Sequence, residues 1–333
     1  MSERKLPVHI ITGFLGSGKT SFLNHFIQQL PNDRILVIEN EVGETNVDSC
    51  LVMDGVDEIL ELSAGCLCCS LSDGLLDLLE EVRRNSEKYD RVVIETTGVA
   101  DPSSIAQVFL NNSWIEHHFD IYQVVCIVDA GNILTWLSET EEALRQLVMA
   151  DVILLNKTDT IDSQSLIQTK QYLARVTPNT LILTGVHGRF AIDQLLGEGL
   201  FLSEPLENRL ANTAQGASRM AQASSPADVN HSHRITTFTL TFDRPFNMEM
   251  LSIHLYRLVN LYRDQVYRIK GILDIDGLPN RAILQSVRTS CIISDGSDWE
   301  EGEERVSKLV FIGRGLNREA FEKMFRKYLR VSV

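Results

Sequence analysis

Two short runs carry the residue types that do chemistry. Gly13-Phe14-Leu15-Gly16-Ser17-Gly18-Lys19-Thr20 matches G-x-x-x-x-G-K-[ST], and Gly65-Cys66-Leu67-Cys68-Cys69 places three thiols in four positions. In the first, Gly13, Gly16 and Gly18 let the backbone curl so that successive N–H groups, Ser17 among them, face phosphate oxygens. The helix that follows adds the partial positive charge of its N-terminus. Lys19 is placed to reach the β- and γ-phosphates, and the Thr20 hydroxyl to ligate Mg²⁺. In the second run, thiolates beside a helix start have a lowered pKa and suit soft metals, Zn²⁺ first, with Co²⁺ or Ni²⁺ compatible. A fourth ligand must come from elsewhere, and the segment Glu39-Asn40-Glu41-Val42-Gly43-Glu44 is the obvious donor. Inert buried cysteines, or redox pairing of Cys68 with Cys69, are the alternatives.

Three further segments bear on the nucleotide. Asn156-Lys157-Thr158-Asp159 follows an apolar run and matches N-K-x-D. The Asp159 carboxylate can accept from guanine N1–H and N2–H₂, a pair that adenine cannot offer, so GTP and GDP are expected rather than ATP. Lys157 would cover the base with its aliphatic stem and Asn156 would tie the loops together. Glu95-Thr96-Thr97-Gly98 stands where many GTPases have D-x-x-G, with Glu95 holding Mg²⁺ through water and Gly98 meeting the γ-phosphate. Asp129 is either a further phosphate-side acid or a helix cap. Thr184-Gly185-Val186-His187 is the natural second wall of the base pocket.

The elements that must position these residues alternate. Apolar strands are expected at Val8–Thr12, Arg34–Glu39, Arg91–Glu95, Val124–Asp129, Val152–Asn156 and Leu181–Thr184, with another at Glu58–Leu62. Helical patterns lie at Thr20–Leu30, Leu71–Arg84, Glu141–Met149 and Gln164–Arg175. This rhythm predicts an α/β domain, a P-loop NTPase with a mostly parallel sheet covered by helices, over residues 1–202. Residues 203–233 lose periodicity and read as a polar linker that ends in His231 and His233, a pair that could bind metal. From 234 to 333 the pattern is a smaller α+β domain with an antiparallel sheet. Its strands fall at Thr236–Phe242, Gln265–Ile275, Arg281–Val287 and Val306–Ile312, and its helices at Met248–Val259 and Asn317–Leu329. The stripe Phe321, Met324, Phe325, Tyr328 and Leu329 on the closing helix is expected to pack on that sheet.

Composition narrows the classes. The chain has 333 residues, 44% hydrophobic and 23% charged, the profile of a soluble two-domain protein. A formal net charge of −14 argues against a nucleic-acid partner. No apolar run is long enough to span a membrane, and the clustered rather than dispersed cysteines point to reduced thiols and the cytoplasm.

These residues together resemble the CobW-like GTPases, relatives of the nickel-insertion proteins HypB and UreG. The likeness runs through Gly13–Thr20, Glu39–Glu44, Gly65–Cys69, Glu95–Gly98 with Asp101-Pro102, and Asn156–Asp159. It extends through Tyr267-Arg268-Ile269-Lys270-Gly271, Asp276–Asn280 and Phe311-Ile312-Gly313, which are similar to the CobW C-terminal domain. The resemblance implies a metallochaperone or metal-regulated GTPase, with Glu39, Glu44, Cys66, Cys68 and Cys69 metal-linked. It also implies a client metalloprotein as partner and admits a homodimer. Slow intrinsic turnover is expected, because the chain shows no obvious arginine finger or water-positioning glutamine. A regulatory GTPase with structural zinc and a non-enzymatic metal scaffold are the competing readings.

Overall fold

The computed structural model describes residues 5–41, 58–63, 70–178, 180–197, 235–300 and 302–330. The chain divides into two compact units, the first built on residues 1–172 and 180–201 and the second on 173–179 and 202–333.

The first unit is a sheet of seven strands: β1 (Leu6–Thr12), β2 (Ile35–Glu41), β3 (Glu58–Ser63), β4 (Arg91–Glu95), β5 (Phe119–Asp129), β6 (Val152–Asn156) and β7 (Leu181–Thr184). Their spatial order is β3-β2-β4-β1-β5-β6-β7, and every pairing is parallel. Parallel strands buried on both faces read as unbroken apolar runs, which is why Val152-Ile153-Leu154-Leu155 is wholly buried. Among the described residues, eight helices connect and cover them: α1 (Lys19–Gln28), α2 (Ser70–Arg84), α3 (Pro102–Asn111), α4 (Ser113–His118), α5 (Ile133–Glu139), α6 (Glu141–Met149), α7 (Ser163–Val176) and α8 (Ile192–Gly197). The chain winds outward from the central β1 to β2 and β3, returns to β4, then crosses β1 to β5. That reversal opens a crevice at the carboxyl ends of the middle strands.

Side-chain alternation decides what faces the crevice. Ile11, Val37, Val93, Val125, Ile127 and Leu154 share one core cluster with Phe22, Leu23, Phe26 and Ile27 of α1. Burying each phenylalanine there stabilises the unit by about 1.5–3 kcal/mol. Stepping two residues onward along the same face puts Glu39, Glu95, Gly13, Asp129 and Asn156 at the carboxyl edge. Toward the other end of β1, His9 is fully buried between the Arg91 guanidinium, 2.9 Å from Nε2, and the Gln123 side-chain amide, 3.0 Å from Nδ1. Arg91 can only donate, so Nε2 accepts and the ring is neutral. Burial first, and then the Arg91 charge, pull its pKa down to about 3.

The second unit is a five-stranded antiparallel sheet in the order β11-β10-β9-β12-β8. Its strands are β8 (Ile235–Phe242), β9 (Val266–Leu273), β10 (Asn280–Val287), β11 (Ser290–Asp298) and β12 (Ser307–Arg314). Two helices, α9 (Met248–Leu261) and α10 (Arg318–Phe325), share its core. Rings of Phe311, Phe321 and Phe325 pack edge to face at 5.2–5.4 Å. The apolar stripe of the closing helix therefore covers this sheet, as its spacing predicts. That helix ends at Phe325 and continues as a 3-10 turn, Arg326–Tyr328, instead of running α-helical to Leu329. Strand β11 is absent from the sequence expectation, and so are α3, α4, α5 and α8. Linker 203–233, with His231 and His233, lies outside the described residues.

Candidate nucleotide and metal site

The phosphate loop leaves β1 at the crevice. Gly13, Gly16 and Gly18 all have positive φ (147°, 74° and 103°), the region glycine enters without strain. A Cβ on Gly13 would stand 2.2 Å from the Ile127 carbonyl oxygen, which leaves no room for a side chain, and one on Gly18 would stand 2.4 Å from Asn156 Nδ2 and would force that amide to move. Gly16 instead faces open space. Helix α1 begins at Lys19 with Gly18 as its N-cap, with no capping side chain and no acid in its first turn. Its leading N–H groups are thereby left to a ligand. The Ser17 hydroxyl is buried without a hydrogen-bond partner, and Lys19 folds back to donate to the Gly13 carbonyl at 3.0 Å. This is a cradle shaped for an anion, with Thr20 one residue into the helix.

Two carboxylates stand near the carboxyl ends of the neighbouring strands β2 and β4. Glu39 of β2 and Glu95 of β4 are register partners, and Glu95 is in turn paired with Ile11 of β1. On parallel strands register partners present side chains to the same face. Glu39 is 7% exposed. On its other side Glu61 of β3 holds the neighbouring register position. After Glu95, Thr96 ties back to β1 through its N–H to the Ile11 carbonyl (2.9 Å) and its hydroxyl to that of Thr12 (3.0 Å). Gly98 then lies against the phosphate loop: a Cβ there would come within 2.7–2.8 Å of the Leu15 backbone.

At the end of β6, Asn156 is a bracket. Its Nδ2 donates to the Ser17 carbonyl (2.9 Å) and its Oδ1 accepts from the Gly188 N–H (3.0 Å), joining the phosphate loop to the turn after β7. Lys157, in a left-handed conformation, donates to the Gly16 carbonyl (2.8 Å) and pairs with Asp129 Oδ2 (2.9 Å). Asp129 is buried. Desolvation alone would raise its pKa, but bonds from Lys157, Asn132 and the Gly131 N–H prevail and hold it below the usual carboxylate range. The residue capping α5 is Asn132 rather than Asp129, so Asp129 serves to hold Lys157. Thr158 binds the Gly185 carbonyl through both N–H (3.3 Å) and hydroxyl (3.1 Å). Asp159 and His187 are exposed beside that turn.

Cys66, Cys68, Cys69 and Glu44 lie outside the described residues, and Glu39 alone of the metal-linked set is placed. Of the described cysteines, Cys126 and Cys291 have thiols pushed up to about 12, chiefly by burial. Such thiols stay protonated and are poor metal ligands.

Residues 7–184 match the family model described as CobW/HypB/UreG, nucleotide-binding domain, and residues 235–329 match the cobalamin synthesis protein cobW C-terminal domain. The chain belongs to the CobW/HypB/UreG family. Among curated members, the zinc chaperone YjiA of Escherichia coli K12 is 32% identical over 327 residues, spanning 96% of this chain and 98% of that protein. A zinc chaperone CobW from Sinorhizobium sp. is 29% identical over 350 residues, covering 94% of each. The crystal structure of Zn(II)-bound YjiA GTPase from E. coli superposes with a TM-score of 0.70 at 26% identity, covering 98% of this chain and all of that one. Within this family frame, Gln146 of α6, which reaches the segment after Glu95, was not picked out by sequence reasoning. Asp129, read there as a phosphate-side acid or a helix cap, pairs with Lys157. A mid-helix glutamine leaves no signal in spacing alone.

Proposed function

We propose that the protein is a GTP-hydrolysing metallochaperone, in which transition-metal binding at Cys66, Cys68 and Cys69, with zinc as the first cargo, is coupled to GTP binding and hydrolysis. The observation that carries this reading is the register pairing of Glu39 with Glu95. One belongs to the strand that leads into Glu44, the other opens the segment ending in Gly98. A rearrangement around the γ-phosphate at Glu95–Gly98 is therefore one hydrogen-bonded strand away from a metal-linked carboxylate.

In this reading the Gly13–Thr20 cradle binds the phosphates, with Lys19 leaving the Gly13 carbonyl for the β- and γ-oxygens. Asp159 accepts from the guanine edge, Lys157 covers the base from its anchor on Asp129 and Gly16, and Asn156 keeps the two loops in register. Mg²⁺ fits the hard oxygen donors Thr20 and Glu95, and when bound it supplies charge neutralisation on the phosphates. Gly98 senses the γ-phosphate from its seat on Leu15. Loss of that phosphate frees Glu95–Gly98, alters the Glu39 edge and lowers metal affinity, so that cargo passes to a client metalloprotein. The names of the zinc chaperone relatives support zinc as the cargo.

Phosphate release from GTP and ATP in the presence of Mg²⁺ tests the enzymatic half. GTP should be turned over slowly and ATP not at all. Asp159→Ala should weaken GTP by about a hundredfold or more, because a site built to bond a polar edge rejects ligands once the partner is missing. Equal turnover of both nucleotides by the wild type would overturn it.

A further inference from the structure

Helix α6 carries a buried amide that the function above does not use. Gln146 is 1% exposed, and its Nε2 donates to the carbonyls of Gly98 (3.2 Å) and Ala100 (3.1 Å). The opposite side of Gly98 rests on the Leu15 backbone. The segment from Thr97 to Asp101 is therefore clamped between the phosphate loop and α6. The neighbouring Arg145 approaches Asp101 at 3.9 Å, and Ala100 closes a turn onto the Thr97 carbonyl at 3.1 Å.

We propose that Gln146 is a positioning residue for γ-phosphate recognition, holding the Gly98–Ala100 backbone so that Gly98 stays seated on the phosphate loop. The inference rests on the GTPase reading. Fixing the Gly98 carbonyl fixes the plane of the peptide that follows it, so the segment cannot turn away from Leu15 unless these two bonds break or α6 moves with them. A carbonyl left buried without its donor favours the turned-away conformation, which can recover a partner in water. The state with a γ-phosphate needs the segment seated and the GDP state does not. Gln146 therefore acts on one nucleotide and spares the other.

The test compares wild type with Gln146→Met, which keeps length and volume but donates nothing, and with Gln146→Leu, which keeps a similar bulk and also donates nothing. Affinities for GDP and for a non-hydrolysable GTP analogue are measured by calorimetry, and kcat and KM by phosphate release. The proposal predicts GDP affinity within twofold of wild type in both variants. Affinity for the analogue should fall about ten- to thirtyfold, the scale of two net hydrogen bonds, with a loss of similar size in kcat. In the wild type, amide exchange over residues 97–101 and 142–149 should slow together when the analogue replaces GDP, a readout needing no variant. Equal losses for GDP and analogue, or no loss for either, would overturn the proposal and leave a purely structural glutamine, as would exchange in the two segments that changes independently. A wild type that binds neither nucleotide would instead remove the GTPase reading, and this proposal with it.

Discussion

The contact between Gly18 and Asn156 makes a prediction about energetic coupling. Alanine at position 18 carries two costs. The first is backbone strain at φ 103°, about 1–2 kcal/mol for a residue with a Cβ. The second follows from the added methyl, which would sit 2.4 Å from Asn156 Nδ2. Asn156 must swing away, losing its bonds to the Ser17 carbonyl and the Gly188 N–H, at roughly 1 kcal/mol each. Gly18→Ala should therefore destabilise the first unit by about 3–4 kcal/mol. Asn156→Ala breaks the same two bonds directly, at about 2 kcal/mol. In the double variant there is no amide left to displace and only the strain is added. The two effects should fall short of additivity by about 2 kcal/mol. Urea denaturation of the four proteins reads this from the midpoints at constant slope. Additive losses, within about 0.5 kcal/mol, would refute the reasoning.

Other consequences follow from the same geometry. The folded His9 ring stays neutral down to about 3, whereas the unfolded ring takes up a proton below its ordinary value near 6.5. The unfolded state thus binds more protons in that window, so stability is full above about pH 6.5 and falls as pH drops toward 3. At 1.36 kcal/mol per decade the loss has an upper limit of roughly 4–5 kcal/mol. His9→Gln should flatten the pH dependence of unfolding between pH 6.5 and 4, and an unchanged slope would contradict the buried neutral ring. Gly98→Ala drives a methyl into the Leu15 backbone at 2.7–2.8 Å. It should weaken a GTP analogue about tenfold or more while sparing GDP, as measured by competition binding. Asp129→Asn releases Lys157 from its 2.9 Å ion pair. It should weaken GTP and GDP together, by about three- to tenfold, since Lys157 remains partly exposed and its pair is screened.

How much of this was legible in the sequence depends on which force set each feature. Strands β4 and β6 fall where their apolar runs place them, because burial on both faces leaves an unbroken hydrophobic signal, and the partly buried edge strand β7 also falls on its apolar run. The termini Glu95 and Asn156 follow from that, as does the bracket role of Asn156. Other boundaries moved: β5 begins at Phe119 rather than Val124, through the half-exposed stretch Asp120–Tyr122. Strand β11 was hidden by its polar second half, Ser294-Asp295-Gly296-Ser297-Asp298. Its hairpin also turns through Arg288 and Thr289, with Arg288 itself at φ 52°, so the glycine that usually marks such a turn is missing. Helix α3 did carry signals. Asp101 caps it by accepting from the Ser103 N–H (2.9 Å), and Pro102 opens it. Both residues read first as part of a motif.

The site divides in the same way. The cradle and the residues proposed for the guanine side have fixed spacings that local chemistry demands, and these survive in a one-dimensional reading. Gln146 and the Asp129–Lys157 pair come from contacts between distant segments, which no spacing records. The adjacency of Glu39 and Glu95 is of this second kind. It arises because β4 inserts between β1 and β2, a fact of topology rather than of either motif.

Zinc affinity, measured by chelator competition with GDP bound and then with a non-hydrolysable GTP analogue, tests the central claim most directly. The account predicts at least about tenfold tighter zinc with the analogue, with zinc tightening the analogue by the same factor. Cys68→Ser should weaken zinc in both states and erase the difference. Equal zinc affinity in the two nucleotide states of the wild type would contradict the coupling and leave a GTPase with a structural metal.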